Sequence, residues 1–115
     1  MKLGDIVSCI VIDPRKLTNY ALNTDNPVGA DKAVMFQRDL GFTIDNYQLL
    51  LEQISTQALD AEAILGRADE HGQRYTVDLD ITGTQGQRSI VRTGWIVEPN
   101  SDSARLVTLY VRRKK

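Results

Sequence analysis

The sequence predicts an α+β fold in which N-terminal helices pack on one face of an antiparallel meander of three or four strands. Between residues 33 and 54, apolar side chains recur at the i, i+3, i+4 and i+7 spacing of a core-facing helix. From residue 74 to residue 82 they occupy every second position, which is typical of a strand with one buried and one open face. Because the helical patterns precede the alternating ones, we expect separate helical and sheet layers.

The chain of 115 residues has the length of one domain with a single core. We expect four parts: an extended arm or strand (1–14), a helical part (15–60), an antiparallel sheet (61–112) and a basic tail (113–115). Apolar residues make up 42% of the chain and charged residues 25%, which favours a globular protein over a disordered one.

Capping signals predict where the helices begin and end. A short helix is expected over 15–22, because this segment follows an Asp-Pro pair. Asp31 is a suitable N-cap for a helix over 32–40, and Gly41 follows where a left-handed cap is favoured. A longer helix is predicted to begin at Thr43.

The remaining segments connect the helices or extend the sheet. Residues 23–29 have the composition of a loop. A short edge strand is predicted at Ile64 and Leu65, before the hairpin. After the hairpin, residues 98–103 predict a turn, and the alternation over 104–112 predicts a last strand.

The register of the strands decides which side chains share the face that the helices leave open. We assumed a four-residue hairpin loop, in which Thr82 faces Gln87, and a last pairing of Val97 with Ala104. The open face then holds Arg74, Thr76, Asp78, Thr93, Trp95, Leu106, Thr108 and Tyr110. The core face then holds Tyr75, Val77, Leu79, Ile81, Ile90, Ile96, Val107, Leu109 and Val111.

A shift of one residue in the hairpin loop changes this assignment. Side chains alternate between the two faces of a strand, so the shift would place Arg92 and Gly94 on the face of Asp78. The sequence therefore leaves the choice between Arg92 and Thr93 open.

Composition limits the classes of function. A formal net charge of −1 at pH 7 argues against a wide basic surface for nucleic acid, although it allows a local basic site. Cys9 is the single cysteine and is expected to be a buried thiol. One His and one Cys are too few soft ligands for a metal, and no glycine-rich phosphate loop occurs, so neither metal nor cofactor is expected.

No apolar run is long enough to cross a bilayer, and the first residues do not resemble a signal peptide. We therefore expect a soluble, cytoplasmic protein without a membrane partner.

Six segments carry a resemblance to a known family. They are residues 16–23 (KLTNYALN), 27–33 (PVGADKA), 40–42 (LGF), 72–78 (GQRYTVD), 90–96 (IVRTGWI) and 105–111 (RLVTLYV). Together they resemble a family of small bacterial domains of unknown function that also occur as C-terminal modules of polymorphic and contact-dependent toxins. The order of helices and sheet is similar to the fold shared by barnase, the colicin tRNases and the RelE-type toxins.

The resemblance implies a set of candidate site residues. The catalytic candidates are Arg74, Asp78, Arg92, Thr93, Thr108 and Tyr110. The substrate-binding candidates are Lys32, Tyr75, Trp95 and His71. In place of His71, the family pattern more often has an aromatic residue before the glycine, which argues against a catalytic histidine.

Cleavage of RNA without a metal needs a base, an acid and groups that stabilise the charge of the phosphorane. In this hypothesis Arg74 or Arg92 stabilises the phosphate, and Asp78 orients or deprotonates. Tyr110 assists proton transfer. The two threonine candidates donate hydrogen bonds, and Trp95 stacks a base.

The first functional hypothesis is a toxin-like, metal-independent endoribonuclease that acts on RNA, for example tRNA, in the cytoplasm. Delivery as part of a larger toxin and inhibition by an immunity protein or antitoxin are expected with it. The alternative is a non-catalytic module that binds a protein or small ligand on the open face. A third hypothesis, the neutralising partner of such a toxin, agrees with the acidic composition.

A purely structural interpretation of the same residues is also available. Asp78 and an arginine would form a cross-strand ion pair, the threonines would be ordinary strand residues, and Trp95 would pack under a helix.

Overall fold

Five strands form one mixed sheet in this computed structural model, which describes residues 1–25 and 30–112. The strands are β1 (Cys9–Val11), β2 (Ala63–Asp69), β3 (Gly72–Thr82), β4 (Arg88–Val97) and β5 (Ser103–Val111). Their order in the sheet is β1-β5-β4-β3-β2. β1 runs parallel to β5, and all other neighbours are antiparallel.

The α+β class is confirmed, but the prediction of a purely antiparallel sheet of three or four strands is wrong. The N-terminal arm supplies β1, which precedes the main helices and joins the sheet beside β5. The predicted edge strand is confirmed in β2, which is longer than the two residues that its apolar pair indicated.

Helices of three types precede β2 in the chain. They are α1 (Leu3–Ile6), which precedes β1, a π-helix (Lys16–Ala21), α2 (Ala30–Leu40), a 3₁₀-helix (Ile44–Asn46), α3 (Tyr47–Gln57) and a second 3₁₀-helix (Ala58–Asp60). The predicted helices over 15–22, over 32–40 and from Thr43 are confirmed, whereas α1 was not predicted. Part of the predicted loop, residues 26–29, and the basic tail 113–115 lie outside the described residues.

Local signals account for the boundary between α2 and α3. Gly41 has a φ of 77°, a left-handed conformation that favours glycine, and its N–H donates to the carbonyl of Gln37. The Thr43 hydroxyl then accepts a hydrogen bond from the Asp45 N–H at 3.2 Å. The Asn46 side chain accepts one from the Thr43 N–H at 2.7 Å. This reciprocal cap stops one helix and starts the next.

The helices cover a single face of the sheet, which we call the helical face. Its buried strand residues are Val77, Leu79, Ile81, Val91, Thr93, Trp95, Leu106, Leu109 and Val111. The helix residues packed in the same core include Leu17, Phe36, Leu40, Leu50 and Ile54. Burial of these side chains is the main favourable contribution to folding, and it leaves the opposite face of β3, β4 and β5 without helices.

The observed register corrects the predicted faces. Thr82 pairs with Arg88, so the hairpin loop has five residues, and Asp78 faces Arg92. A bulge in β5 then shifts the next pairing, because Gly94 faces Thr108 whereas Trp95 faces Leu106.

As a result, the predicted placement of Thr93, Trp95 and Leu106 on the open face is wrong, because all three are buried on the helical face. Ile96 was predicted on the core face but pairs with Arg74 and Arg105 on the opposite side. Arg92, not Thr93, shares the face of Asp78.

Cys9 also departs from its prediction. It lies on β1, and its side chain is exposed rather than buried. β1 forms the outer edge of the sheet, and its side chains alternate: Ile10 packs partly buried against the core, whereas Cys9 and Val11 are exposed.

α2 and α3 have eleven residues each and are the longest helices in the described part of the chain. A helix needs about 20 residues to cross a bilayer, so none of the described helices could do so.

Candidate functional site

Three rows of side chains cross β3, β4 and β5 on the face opposite the helices, which we call the open face. The rows are Arg74–Ile96–Arg105, Thr76–Gly94–Thr108 and Asp78–Arg92–Tyr110. Opposed residues in antiparallel strands have Cβ atoms about 5 Å apart, so neighbours in a row are within contact distance. Arg112 directly follows β5, and its backbone N–H donates to the carbonyl of Ile90 at 2.8 Å.

Asp78 holds two arginines together at the middle of this face. Arg92 binds its carboxylate through Nε–Oδ1 and Nη2–Oδ2 hydrogen bonds of 2.9 and 3.0 Å. Arg112 adds an Nη1–Oδ2 hydrogen bond of 3.0 Å to the same carboxylate. Together with Tyr110, which lies beside Arg92 in the same row, these residues form what we call the Asp78 cluster.

The cluster is half-buried, and its charges affect one another. The Asp78 side chain is 23% exposed and that of Arg92 is 30% exposed. The hydrogen bonds from Arg92, and secondarily the charge of Arg112, hold the pKa of the Asp78 carboxyl below its ordinary value of 3.8. The same carboxylate raises the pKa of Arg92, with a smaller contribution from Tyr110. Asp78 is therefore a weak base near neutral pH and acts as an anchor for two cations.

Lys32, in the first turn of α2, extends the cluster toward the side of β5. Its Nζ lies 3.5 Å from the Thr108 hydroxyl. The same atom lies 5.3 Å from the centroid of the Tyr110 ring and 5.5 Å from that of Tyr20 on the π-helix. Two aromatic faces therefore hold the ammonium group by cation–π attraction.

Arg74 is a further cation on the open face. Its Nε is buried and has no hydrogen-bond partner in the described residues. Within the same residues, no carboxylate lies within 4.0 Å of Lys32 or Arg74, whereas Arg88 and Arg105 pair with Asp80 and Glu98. Lys32 and Arg74 are therefore cations at or beside the open face whose charge no carboxylate in the described residues neutralises.

Gly94 forms the floor of the middle row. A Cβ atom at this position would lie 2.9 Å from the Thr108 Cγ2, so the glycine lets the Thr108 methyl group pack closely over the strand. Glycine inside a strand often marks a place where another molecule approaches the backbone closely. This row holds two threonines, and the adjoining rows carry guanidinium groups, which bind anions.

Several predicted site residues lie away from the cluster. Trp95 Nε1 donates to the Thr93 hydroxyl at 2.7 Å, and this hydroxyl donates to the Val77 carbonyl at 2.7 Å, all inside the core. Tyr75 pairs with Trp95 and shares the helical side of β3. The structure thus brings together Lys32, Asp78, Arg92, Thr108 and Tyr110, places Arg74 on the same face two rows away, and separates Thr93, Trp95 and Tyr75 from them.

His71 is also distant. It lies in the turn before β3, with its side chain 71% exposed and its Nε2 3.7 Å from Glu70. Seven residues of extended strand separate it from Asp78, which corresponds to roughly 23 Å.

Sequence reasoning missed three members of the site. Arg112 was placed at the end of the predicted last strand (104–112) and was given no role in the site. Gly94 could have been found as a glycine inside an alternating strand. No sequence pattern indicated Tyr20 as a site residue, because only the packing of the π-helix brings it close to Lys32.

Metal ligands are sparse around this site. In residues 1–25 and 30–112, no three His, Cys, Asp or Glu side chains are grouped so that they could hold a metal ion. The groups that converge on the open face are cations and hydroxyls, which bind phosphate and other oxyanions.

These observations define a small α+β domain with a cationic site on an uncovered sheet face. Residues 2–113 match the family described as "Domain of unknown function (DUF6883)". Because the match spans nearly the whole chain, the protein belongs to this family. No curated protein matches the sequence.

A solved structure has a similar fold. It is described as "Contact-dependent growth inhibition toxin - immunity protein complex from Klebsiella pneumoniae 342". One of its chains matches with a TM-score of 0.70 and 16% sequence identity, over 96% of this chain and 99% of that chain. At this level of identity the likeness concerns the fold alone.

Proposed function

We propose that this domain is a toxin-type endoribonuclease that cleaves RNA at the Asp78 cluster without a metal ion, with tRNA as its substrate in the cytoplasm. The observation that carries the proposal is the pair of guanidinium groups fixed by Asp78 on an uncovered face, beside Lys32 and Tyr110. The fold likeness to a chain of a toxin–immunity complex supports it. A fold of the barnase, colicin tRNase and RelE type is part of the proposal.

The chemistry is transfer of a phosphoryl group within the RNA. The 2′ oxygen attacks the adjacent phosphorus and forms a P–O bond, and the bond from phosphorus to the 5′ oxygen breaks. The products are a 2′,3′-cyclic phosphate and a free 5′ hydroxyl. Arg92 and Arg112 stabilise the additional negative charge of the phosphorane, since they are already oriented before the substrate binds.

Proton transfer is assigned to Tyr110 and solvent. The proton of the 2′ hydroxyl passes to water, while the Tyr110 hydroxyl donates to the departing 5′ oxygen and later regains a proton from solvent. Lys32 and the Thr108 hydroxyl, which lie 3.5 Å apart, hold a non-bridging phosphate oxygen. Of the two roles predicted for Asp78, orientation of the arginines is favoured, because its lowered pKa makes it a poor base.

We further propose that an immunity protein or antitoxin inhibits the domain by covering the open face. The half-buried Arg92 offers positive charge to an acidic partner, as do Lys32 and Arg74, which have no carboxylate within 4.0 Å in the described part of the chain. Delivery within a larger toxin belongs to the same proposal.

One observation favours a second candidate, a binding module that docks a protein or small anionic ligand without catalysis. The Asp78 carboxylate is the one carboxylate of the cluster and is engaged by two arginines. A site of this kind binds anions well whether or not it performs proton transfer.

The test is cleavage of total RNA and purified tRNA in the presence of EDTA. Wild-type protein is compared with Arg92→Ala, Asp78→Ala and Tyr110→Phe, each shown to be folded by circular dichroism. Arg15→Ala is the matched control. Arg15 forms a similar ion pair with Asp13, but both residues lie outside the strands that form the open face. We expect discrete products from the wild type and the control, and strongly reduced cleavage by the three variants.

Absence of cleavage at high protein concentration would reject the nuclease. Retained, Arg92-dependent RNA binding would then support the binding module. Protection against a toxin, rather than toxicity, would identify the domain as the neutralising partner.

A further inference from the structure

A groove lies beside the Asp78 cluster, between α2 and the end of β5. Its volume is about 640 Å³. Among the described residues, its walls are formed by Asp31, Lys32, Val34, Met35, Arg38 and Tyr110, with Val111 beneath.

The groove and the cluster share two residues. Lys32 lines the groove, and its ammonium group lies 3.5 Å from the Thr108 hydroxyl. Tyr110 belongs to the row of Asp78 and Arg92 and also lines the groove. A ligand with its phosphate at the cluster would therefore extend directly into the groove.

The chemistry of the groove differs from that of the cluster. Val34, Met35 and Val111 give it an apolar wall, and Val34 is 49% exposed although it is apolar. A thioether and an aromatic ring pack well against a flat π system. Asp31 and Arg38 also line the groove, and Arg38 pairs with Asp39 while its Nη2 donates to Met35 Sδ. The combination of a flat apolar wall and a mixed polar rim suits a planar heterocycle with polar edges.

We infer that this groove binds the nucleobase adjacent to the scissile phosphate of RNA. This inference rests on the proposed function, which makes RNA the molecule that carries the nucleobase. The base lies against Met35 and Tyr110, its edge faces Asp31 and Arg38, and its phosphate lies at Lys32 and Arg92. Proteins usually bind single-stranded nucleic acid by stacking the bases on aromatic side chains and by binding the phosphates with cations nearby.

The experiment compares binding of inorganic phosphate with binding of nucleoside 3′-monophosphates to the full chain, by NMR titration. Stacking of one base commonly increases affinity by roughly tenfold to a hundredfold, so the nucleotides are expected to bind more tightly than phosphate by about this factor. Val34→Ala and Met35→Ala should each reduce this advantage severalfold and leave phosphate affinity unchanged. Arg92→Ala should weaken both ligands.

Ile44→Ala is the matched control, since Ile44 is an exposed apolar residue outside the groove. Val34 is exposed, so its variant is expected to fold even if the half-buried Met35 variant does not. The inference is overturned if nucleotides bind no more tightly than phosphate, if neither ligand binds, or if the Val34 variant behaves like the control.

The two proposals fail separately. If nucleotides bind in the groove but RNA is not cleaved, the proposed nucleobase site stands and the proposed nuclease activity is rejected. RNA cleavage with unchanged KM and kcat in both groove variants would retain the nuclease and reject the groove.

Discussion

The Arg92 guanidinium binds the Asp78 carboxylate through two nearly equal hydrogen bonds, 2.9 Å at Nε and 3.0 Å at Nη2. This bidentate geometry fixes the plane of the guanidinium group. Arg112 approaches the same carboxylate from β5's end at 3.0 Å, so one acidic side chain orients two cations on the open face. The predictions below follow from this arrangement and from the buried residues under it.

The first prediction concerns Asp78 as a positioning residue. Asp78→Asn removes one negative charge and one of the two carboxylate oxygens, so the arginines lose their fixed orientation while the face becomes more positive. We expect kcat for RNA cleavage to fall by about 10²- to 10³-fold, as for the loss of an oriented charge-stabilising group. The affinity for RNA should be retained or increased. Steady-state kinetics that show an equal loss in binding would contradict the role.

Asp13→Asn is the control for this variant. Asp13 is likewise paired with an arginine, Arg15, and its pKa is lowered to about 2, chiefly by that hydrogen bond. It lies outside the open face, and its substitution should leave both kcat and KM unchanged.

The second prediction concerns acid stability. The folded state lowers the pKa of Asp78 from 3.8, so the unfolded state binds the proton more readily. The contribution of Asp78 to the free energy of unfolding is therefore complete above the unfolded pKa and is lost as pH falls through the folded one. Urea midpoints of wild type and Asp78→Asn should differ by a constant amount above about pH 5 and converge below about pH 4. A difference that stays constant down to pH 2 would show that the charge of Asp78 is not responsible.

The third prediction separates the hydroxyl of Tyr110 from its ring. Tyr110→Phe keeps the aromatic face 5.3 Å from Lys32 Nζ but removes the proton donor. We expect kcat to fall by about 10²- to 10⁴-fold, the usual contribution of general acid catalysis, with little change in KM. Tyr47→Phe, on α3 against the core, serves as the control. An unaltered kcat would assign the proton transfer to another group.

The fourth prediction concerns Arg74. Its guanidinium has no carboxylate partner among the described residues, so it is expected to contact a phosphate of bound RNA. Arg74→Ala should weaken binding of all RNA sequences alike and reduce the slope of log K against log salt by about 0.7. Fluorescence anisotropy at several salt concentrations measures this slope. An unchanged slope would place Arg74 outside the RNA-binding surface.

The fifth prediction concerns the core under the site. Thr93→Val leaves Trp95 Nε1 and the Val77 carbonyl without the buried hydroxyl that joins them. The free energy of unfolding should fall by about 1–3 kcal/mol, the cost of leaving buried polar groups unpaired. Thr93→Ser retains the hydroxyl and should lose less, in urea denaturation. Any cleavage activity of the folded Thr93→Val protein should equal that of the wild type, since Thr93 does not reach the open face.

Local chemistry was sufficient to predict most elements. The capping groups at Gly41 and Thr43 act within a few residues, and the helical and alternating patterns reflect burial of one side of each element. The short β1 was placed as an extended segment, but its pairing with β5 joins residues about 94 positions apart in sequence. No local pattern contains that information.

The candidate site was predicted only in part. Alternation along β3 placed Arg74 and Asp78 on one face, and the structure agrees. The register of β3 with β4 depended on the length of the hairpin loop. Because the loop has one residue more than we assumed, Arg92 rather than Thr93 lies on the open face. The bulge in β5 then placed Thr108 and Tyr110 in register with Gly94 and Arg92.

The sequence by itself determined the α+β class, the positions of the main helices and the alternation of each strand, because these follow from local capping and from the spacing of apolar side chains. Only the tertiary structure decided that Arg92 and Arg112 converge on Asp78, that Tyr20 and Tyr110 enclose Lys32, and that Trp95 is buried. The physical reason is that strand register and the packing of helices on the sheet are set by contacts between distant segments. In this protein those contacts bring the charges of the open face together.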